Sequence, residues 1–245
     1  MAVFKIFPSA DAFVNTQVVT ANMGFDEMLE IAGYPVNDVG QTSRSIVRFK
    51  TSEIQNVLNN KVGNIPFTAS IDLKVAEAYE MPATHSIFCY PLAESWSEGV
   101  GKFADDISTG SADKSGVSWF YRSPNEVDAW KTESFATYQT ASYNSTYPGG
   151  CSWYTASNTA NLEATQSFSE NDDFDINIDV TNSVHLHYSG TLDNNGFILK
   201  LDDELEFNTS ASLINKYYSR NTNTIYPPSL IISWDDQTYS TGSLS

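Results

Sequence analysis

Residues Phe174-Asp175-Ile176-Asn177-Ile178-Asp179-Val180 alternate apolar and polar side chains without a fault. A period of two puts every second side chain on the same face of an extended chain, so this segment suits a half-buried strand and not a helix. The pattern recurs over residues 69–76, where Ile71, Leu73 and Val75 oppose Ser70, Asp72 and Lys74. Shorter runs at 4–7, 12–14, 28–32, 44–49, 86–92, 196–201, 216–219 and 229–234 predict further strands. Serine, threonine and asparagine account for 30, 21 and 20 of the 245 residues. Serine and asparagine compete with helix hydrogen bonding, and threonine favours strands, so the composition points the same way. Roughly ten short strands with turn residues between them predict an all-β fold, an antiparallel two-sheet sandwich with a jelly-roll winding. One short helix is expected at Thr51-Ser52-Glu53-Ile54-Gln55-Asn56-Val57-Leu58, capped by Ser52, and a helical turn at 181–187.

The charge balance excludes several partners. Thirteen Lys and Arg face 30 Asp and Glu, for a net charge of -17. Such a surface repels phosphate backbones and anionic bilayers, so neither nucleic acid nor membrane is expected as a partner. No apolar run reaches the roughly 18 residues of a membrane span. The start of the chain carries no charged leader ahead of an apolar stretch, so either one has been removed or the protein is made and kept in the cytoplasm, the reading that Met1 favours. Cys89 and Cys151 lack metal-type spacing. A secreted domain could bridge them, whereas a cytoplasmic one keeps both as buried thiols, the preferred reading.

The middle of the chain differs from the rest. Residues 99–162 are rich in Ser, Thr, Tyr and Gly, and the stretch from Trp96 to Leu162 holds four of the five tryptophans, Trp96, Trp119, Trp130 and Trp153. We read 99–162 as an insertion on a single sandwich domain spanning 1–236, followed by a polar tail or linker over 237–245. The candidate contact residues for a sugar or a protein partner are Trp119, Tyr121, Trp130, Trp153 and Tyr154. Phe120, Tyr138, Tyr143 and Tyr147 share the segment. Two roles fit these rings: stacking on a ligand from loops held by a rigid scaffold, or anchoring a long loop that is otherwise short of apolar residues.

Other candidate chemistry is sparse. The runs Glu170-Asn171-Asp172-Asp173-Phe174-Asp175 and Asp202-Asp203-Glu204 carry the oxygen ligands that calcium takes, but neither has the spacing of an EF-hand loop, and both read as solvated loops. His185 and His187 would share one face of a strand, with only His85 elsewhere, too few for a closed zinc site. No Gly-x-Ser-x-Gly elbow is present. No catalytic residue, metal or cofactor is therefore predicted, and the chain is read as non-enzymatic.

Several segments resemble the DNRLRE-domain family, disaggregatase-related jelly-roll sandwiches akin to carbohydrate-binding modules. They are Ala10-Asp11-Ala12-Phe13-Val14, Ser43-Arg44-Ser45-Ile46-Val47-Arg48-Phe49, Ala69-Ser70-Ile71-Asp72-Leu73-Lys74-Val75 and Trp96-Ser97-Glu98 with Val117-Ser118-Trp119. Ile178-Asp179-Val180-Thr181 with Asn195-Gly196-Phe197-Ile198-Leu199, and Tyr218-Ser219 with Pro228-Ser229-Leu230-Ile231-Ile232, complete the order over about 225 residues. The insertion exceeds the family's usual loop. By family position Asp11 either caps a turn, the preferred reading, or helps hold a structural cation. The resemblance implies glycan binding. An extracellular type of sandwich without an export signal also suits a particle protein assembled in a host cytoplasm and released by lysis. The expectation is thus a bacteriophage virion protein of the tail, neck or capsid surface. Its partners would be other virion proteins or its own copies in a symmetric oligomer, with a surface polysaccharide as the alternative ligand.

Overall fold

The computed structural model describes residues 1–79, 84–104, 112–131, 139–141, 149–156 and 161–236. The strands are β1 (Ala2–Ile6), β2 (Ala10–Asn15), β3 (Met28–Val36), β4 (Val39–Arg48), β5 (Phe67–Leu73), β6 (Val75–Tyr79) and β7 (Thr84–Pro91). They continue with β8 (Gln139–Ala141), β9 (Trp153–Ala156), β10 (Ala164–Ser169), β11 (Ile176–Asp179), β12 (Phe197–Leu201), β13 (Leu213–Tyr218) and β14 (Ser229–Trp234). Helices α1 (Thr51–Val57) and α2 (Thr181–Ser189) join them among the described residues. One sheet has the order β1-β14-β5-β11; the other runs β10-β7-β12-β4-β3-β13-β6, with β2 also on β4. All pairings are antiparallel and the chain crosses repeatedly between the two sheets, an all-β sandwich.

Alternation decides what fills the space between the sheets. Ile71 and Leu73 of β5, Ile176 and Ile178 of β11, and Leu230 and Ile232 of β14 face Val47, Ile87, Phe197, Leu199, Leu201 and Tyr217 of the larger sheet. The 69–76 pattern does not form one strand. It breaks at Lys74, so β5 lies in the small sheet and β6 at the edge of the large one. Strands that change sheets make the corners of a sandwich. Asp175 fixes this corner, accepting from Lys74 Nζ and from the Val75 backbone N–H, each at 2.8 Å. At the opposite edge of the small sheet, β1 pairs, among the described residues, only with β14.

The helices refine two expectations. Helix α1 buries Ile54 and Val57 and continues through a wide turn over Leu58–Val62. Its N-cap is Lys50, with no side-chain cap bond, so Ser52 lies inside the helix and does not cap it. Helix α2 ends at Gly190, whose φ of 73° is the left-handed conformation that closes a helix without steric cost. His185 and His187 belong to this helix, not to a strand, and two residues apart on a helix they point away from each other. His185 is exposed against Phe67, with ring centroids 4.3 Å apart. His187 is buried, with Nδ1 3.2 Å from the Leu192 carbonyl.

A second core lies on the outer face of the large sheet. Tyr90 and Leu92 at β7, Ile46 of β4, Ile198 of β12 and Ala10, Ala12 and Val14 of β2 are covered by Trp96, Val117, Trp119, Trp130, Cys151 and Trp153. Strand β12 is consequently buried on both faces throughout its length. The insertion is tied down along its backbone: Ala93 N–H donates to Ser152 O at 2.9 Å, Val117 N–H to Ser97 O at 2.7 Å and Gly150 N–H to Trp119 O at 2.6 Å.

Candidate functional site

The five aromatic residues singled out in the sequence separate by burial. Trp119 is 0 % exposed, and Trp130 and Trp153 are 4 % each. A ring with no open face cannot stack on a sugar, so these three are corrected from contact residues to anchors of the insertion. Tyr121 and Tyr154 are half-buried. Tyr138, Tyr143 and Tyr147 lie outside the described residues, as does the tail 237–245. The physical reason is the second core. A sheet covered on both faces needs apolar residues from the covering segment, and the insertion supplies tryptophans.

At the centre of this core sits Arg44, 1 % exposed. Its Nε and Nη2 donate to the two carboxylate oxygens of Glu206 at 2.8 and 2.6 Å, and Nη1 donates to the Gly150 carbonyl at 2.6 Å. The guanidinium carbon lies 4.9 Å from the Trp119 ring centre and 5.1 Å from that of Trp153, within cation–π range. Lys200 is equally enclosed, donating to Asp203 Oδ1 and the Leu201 carbonyl, with Glu206 Oε2 at 3.3 Å. Gly150 makes the close approach possible. A Cβ there would stand 2.6 Å from the Trp119 ring and 2.7 Å from Arg44 Nη1, and its φ of 73° disfavours any side chain. Gly150→Ala is expected to lower stability by about 1–3 kcal/mol, read from urea unfolding.

The acidic runs have structural work. Asp202 Oδ1 accepts from the Glu204 and Leu205 backbone N–H groups, and Asp172 Oδ2 accepts from the Ser169 N–H and hydroxyl. Among the described residues no three His, Cys, Asp or Glu side chains converge to hold a metal ion. Cys89 belongs to the inner core and Cys151 to the outer one, and both are free. Burial pushes both thiols well above their ordinary range. Neither should react with a thiol–disulfide exchange reagent until denaturant is added; fast labelling of the folded chain would contradict this packing.

Two of the open surface features among the described residues bear on function. The first is a groove of about 700 Å³ where β7, β10 and the β12–β13 connection meet, lined among others by Ser86, Ser167, His85, Asp172, Asp202 and Glu204. His85 is held below the usual imidazole range by burial and is therefore neutral at pH 7. Its Nε2 is 3.3 Å from Asn215 Nδ2, and Nδ1 has no hydrogen-bond partner among the described residues. The second is the outer edge of β1, where Val3 is 51 % exposed, Phe4 39 % and Phe7, just beyond the strand, 56 %. Beside it lies a shallower groove of about 440 Å³ bounded by Met1, Phe67 and Trp234.

Sequence reasoning missed the Arg44–Glu206 pair, since its members are 162 positions apart. The available signal was a charged residue inside an apolar strand, because such a residue is buried only with a partner. It also missed the β1 edge. The run 4–7 reads as an opening strand, and only pairing reveals which strand is left at an edge. Among the described residues no helix is long and apolar enough to cross a membrane. Compared with known proteins, the chain matches no protein-family model and no curated protein.

Proposed function

We propose that the chain is a non-enzymatic structural component of a bacteriophage particle, in the tail, neck or on the capsid surface, built on a DNRLRE-type sandwich. The observation that carries this reading is the free edge of β1 with Val3, Phe4 and Phe7 exposed along it. Soluble monomers protect sheet edges with charge, proline or a covering segment, because unpaired backbone groups beside apolar side chains recruit another strand. Here the insertion covers the outer face of the large sheet over β2, β4, β7 and β12, whereas among the described residues no strand pairs with the outer edge of β1, whose one charge is Lys5. A net charge of -17 keeps free subunits soluble before assembly. Sedimentation velocity from micromolar to near-millimolar concentration tests the reading. The wild type should associate with rising concentration, and a Val3→Lys/Phe7→Lys variant should remain monomeric. A wild type that stays monomeric throughout contradicts it.

The groove beside His85 favours a second reading, a module that binds a surface polysaccharide. Carboxylates and serine hydroxyls along this groove accept hydrogen bonds from sugar hydroxyls. On this reading the ligand lies away from the buried tryptophans. A glycan array read with wild type and Asp202→Asn decides it, with specific binding lost in the variant as the expected result and a blank array as the contrary one.

A further inference from the structure

Asp11 of β2 is almost wholly enclosed, at 1 % exposure. Its Oδ2 accepts from the Arg220 backbone N–H at 2.7 Å, while Oδ1 has no hydrogen-bond partner among the described residues. The Asp11 backbone N–H donates to Glu98 Oε1 at 2.9 Å. Arg220 Nη1 closes the triangle, donating to Glu98 Oε2 at 3.0 Å and also to the Ser9 carbonyl. Three remote parts of the chain meet here: β2, Glu98 just ahead of the insertion and the segment after β13. The charged groups facing Asp11 are Glu98 and Arg220. Beyond Glu98, Arg48 of β4 lies against the Trp96 ring at 4.9 Å and donates to the Trp96 carbonyl at 2.9 Å.

Two carboxyl groups thus share one guanidinium, and the guanidinium bonds Glu98. Asp11 keeps a bare oxygen in a closed space, a situation a carboxyl resolves by holding a proton. Burial pushes it up to about 7 from its ordinary 3.8, with the Arg220 peptide N–H pulling the other way and the Glu98 charge adding to the rise. Glu98 is also where the insertion is stitched down. Its carbonyl accepts from Asn22 Nδ2 at 2.6 Å, and Asn22 Oδ1 in turn accepts from the Gly101 N–H at 2.8 Å. A second negative charge at Asp11 therefore acts on the seam between the sandwich and its cover.

We propose that Asp11, Glu98 and Arg220 form an acid-tightened latch that fastens the start of the insertion and the segment after β13 to β2, and that loosens as the medium approaches neutrality. The sign follows from linkage. An acid whose closed-state value is raised binds its proton more tightly when closed, so the latch is firmest below the open-state value and weakens up to the closed-state one. It weakens by up to about tenfold per pH unit between pH 4 and 7 and levels off above that. This rests on the cluster alone and is independent of the assembly reading.

Hydrogen exchange tests it on the full chain, corrected for intrinsic exchange, at the Asp11, Asn22, Val117 and Arg220 amides. Protection should fall by about tenfold or more from pH 5 to pH 7 in the wild type and stay level in Asp11→Asn. Equal protection across that range, or the same fall in Asp11→Asn, overturns the latch. Should Asp11→Asn not fold, the carbon-13 titration of the Asp11 carboxyl in the wild type decides. A midpoint near 7 that drops in Glu98→Gln supports it; a midpoint in the ordinary carboxylate range overturns it.

Discussion

Arg44→Met is expected to cost about 3–5 kcal/mol of unfolding free energy, the penalty for leaving one member of a buried ion pair without its partner. Against a typical domain stability of roughly 5–15 kcal/mol, that is about a fifth or more of the total. The cost has three sources in the geometry. Glu206 loses both of its guanidinium bonds, the Gly150 carbonyl loses its donor, and Trp119 and Trp153 lose the cation beside them. Lys200, 3.3 Å from Glu206, remains as partial compensation. The double variant Arg44→Met/Glu206→Met should regain part of the loss, since it removes the orphaned carboxylate, and the two single effects should not add. Urea unfolding of the two single variants and the double variant measures this. A loss below about 1 kcal/mol in Arg44→Met would mean that the pair sits in water and that the outer core is not closed.

The second large effect is a pair of opposed pH dependences. His187 is buried on α2, and burial lowers it to about 4 from its ordinary 6.5. Its neutral form is the one the fold accepts, so its contribution is complete above pH 6.5 and is lost as the pH falls through 4. The size is about 3 kcal/mol, at 1.36 kcal/mol per unit. Asp11 acts in the other direction: raised to about 7, it contributes stability present below 3.8 and lost as the pH rises through 7. Between pH 4 and 6.5 the Asp11 and His187 slopes oppose each other, so these two contributions nearly cancel there. Single variants should uncover each limb. His187→Gln leaves the Asp11 limb, with stability falling as the pH rises, and Asp11→Asn leaves the His187 limb, with stability falling as the pH drops. Denaturant midpoints at pH 4, 5.5, 7 and 8 read both. A His187→Gln profile parallel to wild type would place that imidazole in solvent.

The strand pattern was legible because period two depends on neighbours in sequence. Phe174 to Val180 alternates as read, and β11 presents Ile176 and Ile178 to the core. The break at Lys74 was not legible, since Ile71 to Val75 keeps its period while the chain turns from one sheet to the other. The aromatic insertion was legible as a segment but ambiguous in role. A tryptophan among serines and threonines reads the same whether it faces a ligand or a sheet. The outer face it covers was foreshadowed only by β12, where the apolar run interrupted by Lys200 fits a strand buried on both sides. Long-range polar pairs such as Arg44–Glu206 and Asp11–Arg220 leave no local trace, because charge complementarity across the chain has no period. The edge position of β1 is likewise a property of pairing and not of its residues.

The central claim, assembly through the free edge of β1, is tested most directly by backbone hydrogen exchange in dilute and concentrated samples. The account predicts that amides in Ala2–Phe7 which do not bond β14 exchange fast when dilute and become protected on association, while amides along the His85 groove do not change. Protection that appears at the groove instead, or β1 amides that exchange equally fast in the associated form, would contradict it.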